Sequence, residues 1–415
     1  MATSRILQLA HAIVSGTSTI DQHLRDHDIA EPSFSSSEFA QSLNPTPDVE
    51  AAKTTVIEAT IELRQLLEGP MQLLLPESNF FPLAAIHRFN IASHVPTTPD
   101  NASISFRDLA QRCGLQEQDV QRIVRFTAAH HRVFCEPDPG RVAHTAASRS
   151  LVEIPVAQHL MALTFQECWP AHGRALDAME MKSQEPSDSG FSLANGTRLG
   201  FFEFLSQNPD RAKGFAGAMS STSSGSLEAL SRSFDWASLG PRVVVDVGGS
   251  VGHVSAYLAS QYPELRFLVQ DKAEVVQDAE EKIPVEVRDR VTFQAHDFFD
   301  EQNVKADAYL LRFVLHDWPD KWCLKILRAL VPRLQEGAVL VLQEHILPEP
   351  GSVGLLKERR VRSMDAIMLS LLNSREREER DWRSLFEEAD KRFRVEAVER
   401  KEGETIAVIT VRWTG

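Results

Sequence analysis

The run ADAYLLRFVLHDWPDKWC ends an apolar, strand-like stretch in His316, Asp317 and Trp318. Parallel sheets collect their functional side chains at the C-terminal ends of strands. His316 therefore stands where a proton acceptor is useful, and an imidazole suits deprotonation of a phenol or enol near neutral pH. The bland alternative is a structural histidine that caps the following helix together with Asp317. A second run, VVVDVGGSVGHVSAYLASQYPELRFLVQD, places Asp246 near the end of a buried strand. The turn that follows contains Gly248, Gly249 and Gly252, and a second strand ends at Asp271, 23 residues beyond Gly248. Glycines let a ligand approach the backbone closely, and an acid at the end of the second strand can bind ribose hydroxyls. The loop reads GGSVG rather than GxGxxG, so a dinucleotide site and a plain structural turn both remain open on spacing alone.

These residues need a sheet to hold them. From Pro241 onward, apolar β-branched runs (RVVVDVGG, LRFLVQD, VTFQAHDFF, ADAYLLRFVLH, GAVLVLQEHIL) alternate with helical stretches. This predicts an α/β fold with a doubly wound parallel sheet. FRVEAVERK and ETIAVITVRW, joined only by Glu402–Gly403, must pair antiparallel. Upstream, residues 1–28 read as a helix, 31–50 as a Ser/Pro-rich linker and Asp48 to Leu67 as a second helix that is apolar on more than one face. The segment from Ser105 to His131 reads as helix, Gly turn, helix. With a strand pair around VFCEP and RVAHT, it predicts a winged helix. Residues 155–235 read as mostly helical. The expected organisation is a helical and winged-helix domain over 1–150, linker helices over 151–238 and a catalytic domain over 239–415.

Composition narrows the function classes. Of the 415 residues, 43% are hydrophobic and 25% charged, which is a globular balance. The formal net charge of −14 repels phosphate backbones and anionic lipid, so neither nucleic acid nor a membrane is the expected partner. The winged helix keeps a DNA-binding regulator in view, with Arg122, Arg125 and His131 on its second helix, but Glu117 and Asp119 share that helix. Four scattered cysteines without a CxxC pair argue against a zinc cluster and for a reducing, cytoplasmic setting, and no metal site is expected. No apolar run is long enough for a transmembrane span, and the N-terminus reads as an amphipathic helix rather than a signal peptide.

The D-V-G-G-S-V-G loop resembles the first motif of class I methyltransferases, with Ser250 in place of the third glycine. VLHDWPD, QEHILP and ERxxRDW together resemble the caffeic-acid-type plant and fungal O-methyltransferases over most of the chain. That resemblance implies S-adenosylmethionine as cofactor, a Rossmann-like methyltransferase sheet with the antiparallel C-terminal hairpin, and an N-terminal dimerisation domain that makes a homodimer. It makes His316 the general base, with Glu344 and Glu376 orienting and polarising its ring. Glu378 is a rival to Glu376 if the register slips, because REREER alone reads as a solvated helix start. Asp246, Gly248, Gly249, Gly252, Asp271, Asp297, Phe298, Arg312 and Ser223 become cofactor residues. Phe298 and Arg312 stand where the family commonly has Met and Lys. Phe165, Trp169, His172 and Met219 become substrate-pocket residues, for which core packing is an equal alternative.

The function so implied is methyl transfer to a hydroxyl of a small aromatic or polyketide-derived molecule in secondary metabolism. Fungal members of the same family include pericyclases, in which bound cofactor supplies charge or structure. The segments HTAASRSL, AGAMSS and NSREREERDW keep that second reading open.

Overall fold

A computed structural model describes residues 3–35, 45–75, 79–99, 102–220, 224–401 and 404–415. The chain divides into two compact units, Met1–Gln166 and Glu167–Gly415.

In the first unit, Ser4 caps helix α1 (Arg5–Asp26), accepting a hydrogen bond from the Leu7 N–H, and Thr46 caps α2 (Pro47–Glu68) in the same way. The two helices run antiparallel. Arg5 Nε donates to Glu62 Oε1 at 2.7 Å near one end. In the middle, Gly16 lies so close to α2 that a Cβ there would sit 2.5 Å from Val56 Cγ2. The pairing leaves Ile6, Leu7 and Val14 of α1 and Ile57, Leu66 and Leu67 of α2 exposed. Part of the Ser/Pro linker, residues 36–44, lies outside the described residues.

The winged-helix expectation holds for the helices: α3 (Phe106–Cys113), capped by Ser105, and α4 (Glu117–His131), joined through Gly114 at φ +68°. Phe106, Leu109, Val120, Val124 and Phe134 form the core beneath them. The expected VFCEP–RVAHT ladder shrinks to one bridge between Cys135 and Ala143. Pro137 and Pro139 lack the N–H groups a ladder requires. The partner of β2 (Arg141–Ala143) is instead β1 (Ser103–Ser105), just before α3. Arg122 pairs with Asp119 at 3.7 Å and Arg125 with Glu136 at 2.9 Å, so both arginines that this helix would offer to a phosphate are turned onto acids of their own unit.

The second unit begins with short helices and then forms a seven-stranded sheet in the order β5-β4-β3-β6-β7-β9-β8. Its strands are β3 (Val243–Val247), β4 (Arg266–Asp271), β5 (Val291–Ala295), β6 (Ala308–Arg312), β7 (Val339–His345), β8 (Phe393–Glu399) and β9 (Ile406–Trp413). β3 to β7 are parallel, while β9 runs antiparallel to both β7 and β8. Both faces are covered, which is why the strands read as continuous apolar runs. One face packs Leu311, Leu342, Trp382 and Phe386, and the other packs Trp236, Val254, Phe267 and Val341. Four helices frame the site: α5 (His253–Gln261), α6 (Asp320–Leu330), α7 (Leu355–Leu372) and α8 (Glu379–Ala389). Among the described residues no helix is long and apolar enough to cross a membrane.

Candidate active site

His316 sits in a single 3-10 turn, Leu315–Asp317, immediately beyond β6. The chain enters that turn through Phe313 at φ +50°, a conformation that a bulky side chain adopts at a cost. The bend aims two successive N–H groups at Glu344 on β7. Glu344 Oε1 accepts from Val314 N at 3.1 Å and from Leu315 N at 2.9 Å. Glu344 therefore holds the backbone of the turn rather than the imidazole itself. Among the described residues its Oε2 is buried without a hydrogen-bond partner, and burial raises its carboxyl to about 7.

The ring is held by Glu376, whose Oε1 lies 3.0 Å from His316 Nδ1. Glu376 is fully buried between α7 and α8, its own N–H donating to Asp365 Oδ1 at 2.8 Å. The rival Glu378 is the N-cap of α8, in a capping box with Asp381. On the other side of the ring, Asp317 Oδ1 lies 3.4 Å from Nε2. Burial alone lowers the His316 pKa, but Asp317, Glu376 and Glu344 outweigh it and lift it to about 10, while burial raises Asp317 to about 6. The four groups form one coupled proton-holding cluster. Asp317 does not cap the next helix, a position that falls to Pro319.

Arg377 is the arginine that follows Glu376 in the ERxxRDW run, to which the sequence assigns no task. It is fully buried and binds the carbonyl of Leu315 at 3.0 Å, the carbonyl of Trp318 at 2.9 Å and Asp320 Oδ1 at 2.7 Å, with its guanidinium 5.1 Å above the Trp382 ring. Ser374 Oγ donates to the His316 carbonyl at 2.6 Å. REREER is thus a clamp around the histidine turn. The ERxxRDW resemblance was the signal available for it in the sequence; the structure then buries Glu376 and Arg377 and leaves Arg375 and Arg380 exposed.

The glycine loop lies against the same turn. A Cβ on Gly248 would come within 3.1 Å of Val314 Cγ2, and one on Gly249 would sit 2.5 Å from the Asp246 carboxyl carbon. A Cβ on Gly252, at φ +78°, would strike Phe293 at 2.8 Å. Ser250 takes φ +53° despite its side chain, and its N–H donates to Asp271 Oδ2 at 2.8 Å. Asp271 Oδ1 accepts from Lys272 N at 2.8 Å. Asp246 is buried, accepts from Ser255 Oγ at 2.6 Å and is raised by burial to about 6. Arg312 bonds Gln343 Oε1 at 2.8 Å, lies 4.7 Å over the Phe313 ring and interacts electrostatically with Asp246. Phe298 covers Gly248 and meets Trp318 edge-on at 5.8 Å, and Asp297 Oδ1 caps its own turn through Phe299 N.

The remaining expected residues are less concentrated. Phe165 is half-buried in the π-helical turn Leu163–Cys168, which spans the boundary between the two units. Trp169 and His172 lie on the next short helix, with His172 Nδ1 2.8 Å from Ser370 Oγ of α7. Met219 is partly exposed on Pro209–Ser220, and Ser223 lies outside the described residues.

An open α/β sheet with an acid-glycine loop at the end of β3, an acid ending β4 and a clamped histidine just beyond β6 is an arrangement of the Rossmann-like class. A family model for the O-methyltransferase domain matches residues 177–392. The grayanic acid biosynthesis cluster O-methyltransferase of Cladonia grayi is 42% identical over 415 residues, covering 99% of this chain and 88% of that one. Among solved structures, OxaC superposes with a TM-score of 0.76 at 20% identity over 99% of each chain. A pericyclic reaction enzyme superposes with a TM-score of 0.70 at 22% identity, over 98% of this chain and all of that one. The chain belongs to the O-methyltransferase family, whose cofactor is S-adenosylmethionine.

Proposed function

We propose that this enzyme methylates a hydroxyl oxygen of a small aromatic or polyketide-derived substrate, as part of secondary metabolism, with His316 as general base. The observation that carries the reading is the His316–Glu376 hydrogen bond, made inside a turn fixed from three sides by Glu344, Ser374 and Arg377. A bound S-adenosylmethionine would supply an electrophilic methyl group on sulfur. The loop fits such a group: glycines where side chains would collide, the Asp246 carboxylate beneath them and the Asp271 carboxylate beyond. Asp246 and the loop would hold the amino-acid end, Asp271 the ribose, and Asp297 and Phe298 the adenine. His316 takes the substrate's hydroxyl proton on Nε2 while Glu376 keeps Nδ1 protonated and the ring oriented. Glu344 and Arg377 prevent the turn from drifting away from the glycine loop, so alignment is built in before substrate arrives.

The test is transfer of an isotope-labelled methyl group from the cofactor to a panel of phenols and enols. Labelled product supports the reading, and turnover of a polyketide-type substrate without release of demethylated cofactor would favour the pericyclic alternative that the shared fold allows. Because the carboxylates raise His316, the ring carries a proton at neutral pH and its competent neutral form grows as pH rises. Transfer should therefore climb from pH 7 toward about 10, and a flat profile would contradict the base assignment.

Asp271→Ala removes the carboxylate assigned to the ribose. A charge-assisted hydrogen bond contributes roughly 1.5–3 kcal/mol, so cofactor affinity should fall about ten-fold or more by calorimetry, with the fold retained.

We also propose that the chain works as a cytoplasmic homodimer. The apolar residues left exposed by the α1–α2 pair suit burial against a second copy, and Cys113, Cys135, Cys168 and Cys323 are all free thiols. Deleting residues 1–45 should give monomer or aggregate in light scattering. A truncated protein that stays dimeric removes α1 from the interface, and a monomeric full-length chain removes the dimer.

A further inference from the structure

His345 is a second imidazole at the site, and nothing above uses it. It ends β7 directly after Glu344, so strand alternation sends the two side chains to opposite faces. Glu344 reaches the Val314–Leu315 backbone, while His345 stacks on Phe313 with ring centroids 5.4 Å apart and lies 6.4 Å from the His316 ring. Phe313 is a firm backing, fixed by its N–H to the Gln343 carbonyl at 3.0 Å and by the Arg312 guanidinium. Among the described residues the Nδ1 of His345 is buried without a hydrogen-bond partner and Nε2 makes no hydrogen bond, while the residue as a whole is half-buried. Burial drives the ring well below the ordinary histidine range, to about 4, so it stays neutral. A neutral imidazole has one N–H and one bare nitrogen. A buried N–H without an acceptor is the costlier arrangement, so the bare lone pair belongs on Nδ1 and the proton on Nε2.

We propose that His345 is a specificity-determining residue whose Nε2–H hydrogen-bonds a second oxygen on the ring that carries the reacting hydroxyl. Two imidazoles at this separation, each reaching about 2.6–3.2 Å to its partner, can both serve oxygens of one aromatic ring. The substrate class is thus a phenol that carries a second oxygen, as a carbonyl, carboxylate or hydroxyl, on the same ring. The proposal deepens the methyl-transfer reading and rests on it for the role of His316.

The test compares phenol with catechol, resorcinol, 2-hydroxyacetophenone and 3-hydroxyacetophenone. It measures both labelled methyl transfer and calorimetric binding to the full chain loaded with S-adenosylhomocysteine. The wild-type protein should prefer a dioxygenated member over phenol by ten-fold or more. His345→Phe, which keeps the stack on Phe313, should erase that preference while melting temperature and S-adenosylhomocysteine affinity hold. His345→Gln, which restores a donor near Nε2, should recover part of it. Absence of a preference in the wild type, a preference that survives in His345→Phe, or equal losses for phenol and its partners would each overturn the assignment. A preference in binding without label transfer to any member would leave His345 as the reader and remove methyl transfer instead.

Discussion

His316→Ala should lower methyl transfer by roughly 10²- to 10⁴-fold, the usual contribution of a positioned general base, and should leave cofactor affinity close to that of the wild type. The separation of the two effects follows from the geometry. The imidazole bonds Glu376 and approaches Asp317 and makes no hydrogen bond to the glycine loop among the described residues, whereas the loop lies against the turn at the aliphatic side chain of Val314. Removing the ring also removes the cation that Glu344, Glu376 and Asp317 share. The cluster then holds its remaining charge by taking up a proton, because Asp317 and Glu344 already sit high, near 6 and 7. Single-turnover measurement of transfer, with calorimetry of cofactor binding alongside, reads both quantities. A variant with undiminished transfer, or one that loses cofactor in proportion, excludes His316 as the base. The alkaline rise should disappear in the variant, apart from whatever ionisation belongs to the substrate itself.

Arg377→Met should destabilise the second unit by about 3 kcal/mol, although Arg377 touches neither proposed ligand. Its fully buried guanidinium is the main partner of the Trp318 carbonyl, and leaving a buried acceptor unsatisfied costs about 1–3 kcal/mol, while the Leu315 carbonyl keeps the Trp318 N–H at 3.2 Å. Cys323 Sγ, 3.1 Å from both carbonyls, is too weak a donor to replace it. The stack on Trp382 is lost as well. For a unit of this size the melting temperature should fall by roughly 6–12 °C. The folded fraction should keep its cofactor affinity and lose turnover, because the histidine turn is no longer tied to Asp320. Arg377→Lys should recover little, since an ammonium cannot serve two carbonyls and a carboxylate from one plane. A melting temperature within a degree or two of the wild type would show that the clamp is dispensable.

The sheet was legible from alternating apolar runs because both of its faces are buried, and each parallel strand falls where its run predicted. The site residues divide by how far their task is local. Asp246, Gly248, Gly249, Gly252 and Asp271 act within one strand-turn-helix-strand unit, so spacing carries them. His316 is marked by its place after a strand. Glu376 and Arg377 act across about 60 residues on a turn they do not adjoin in sequence, and within REREER nothing but burial separates them from Arg375, Glu379 and Arg380. The resemblance gave Glu344 the task of orienting and polarising the ring; its charge does act on His316, while its hydrogen bonds go to the Val314 and Leu315 N–H groups. The wing ladder was overread since the two prolines in CEPDP weigh more than the β-branched residues beside them. Ser250 shows the opposite: a position where glycine is expected, held at positive φ by a single bond to Asp271.

The placement of β9 between β7 and β8 bears on how the molecule is assembled. Val339–His345 pairs with Ala308–Arg312 on one side, but its other side is closed only by Ile406–Trp413, with Glu344 opposite Ala407. A nascent chain that has emerged as far as α8 therefore presents VLVLQ as an open, flat, uncharged strand edge, the kind that recruits other chains. Non-local pairing of this sort is also slow to form. Chaperone dependence and inclusion bodies are the expected signature of any change that delays docking of the final strand. Substitutions at Val408, Ile409 or Val411, far from the chemistry, should lower the yield of folded enzyme before they alter its rate.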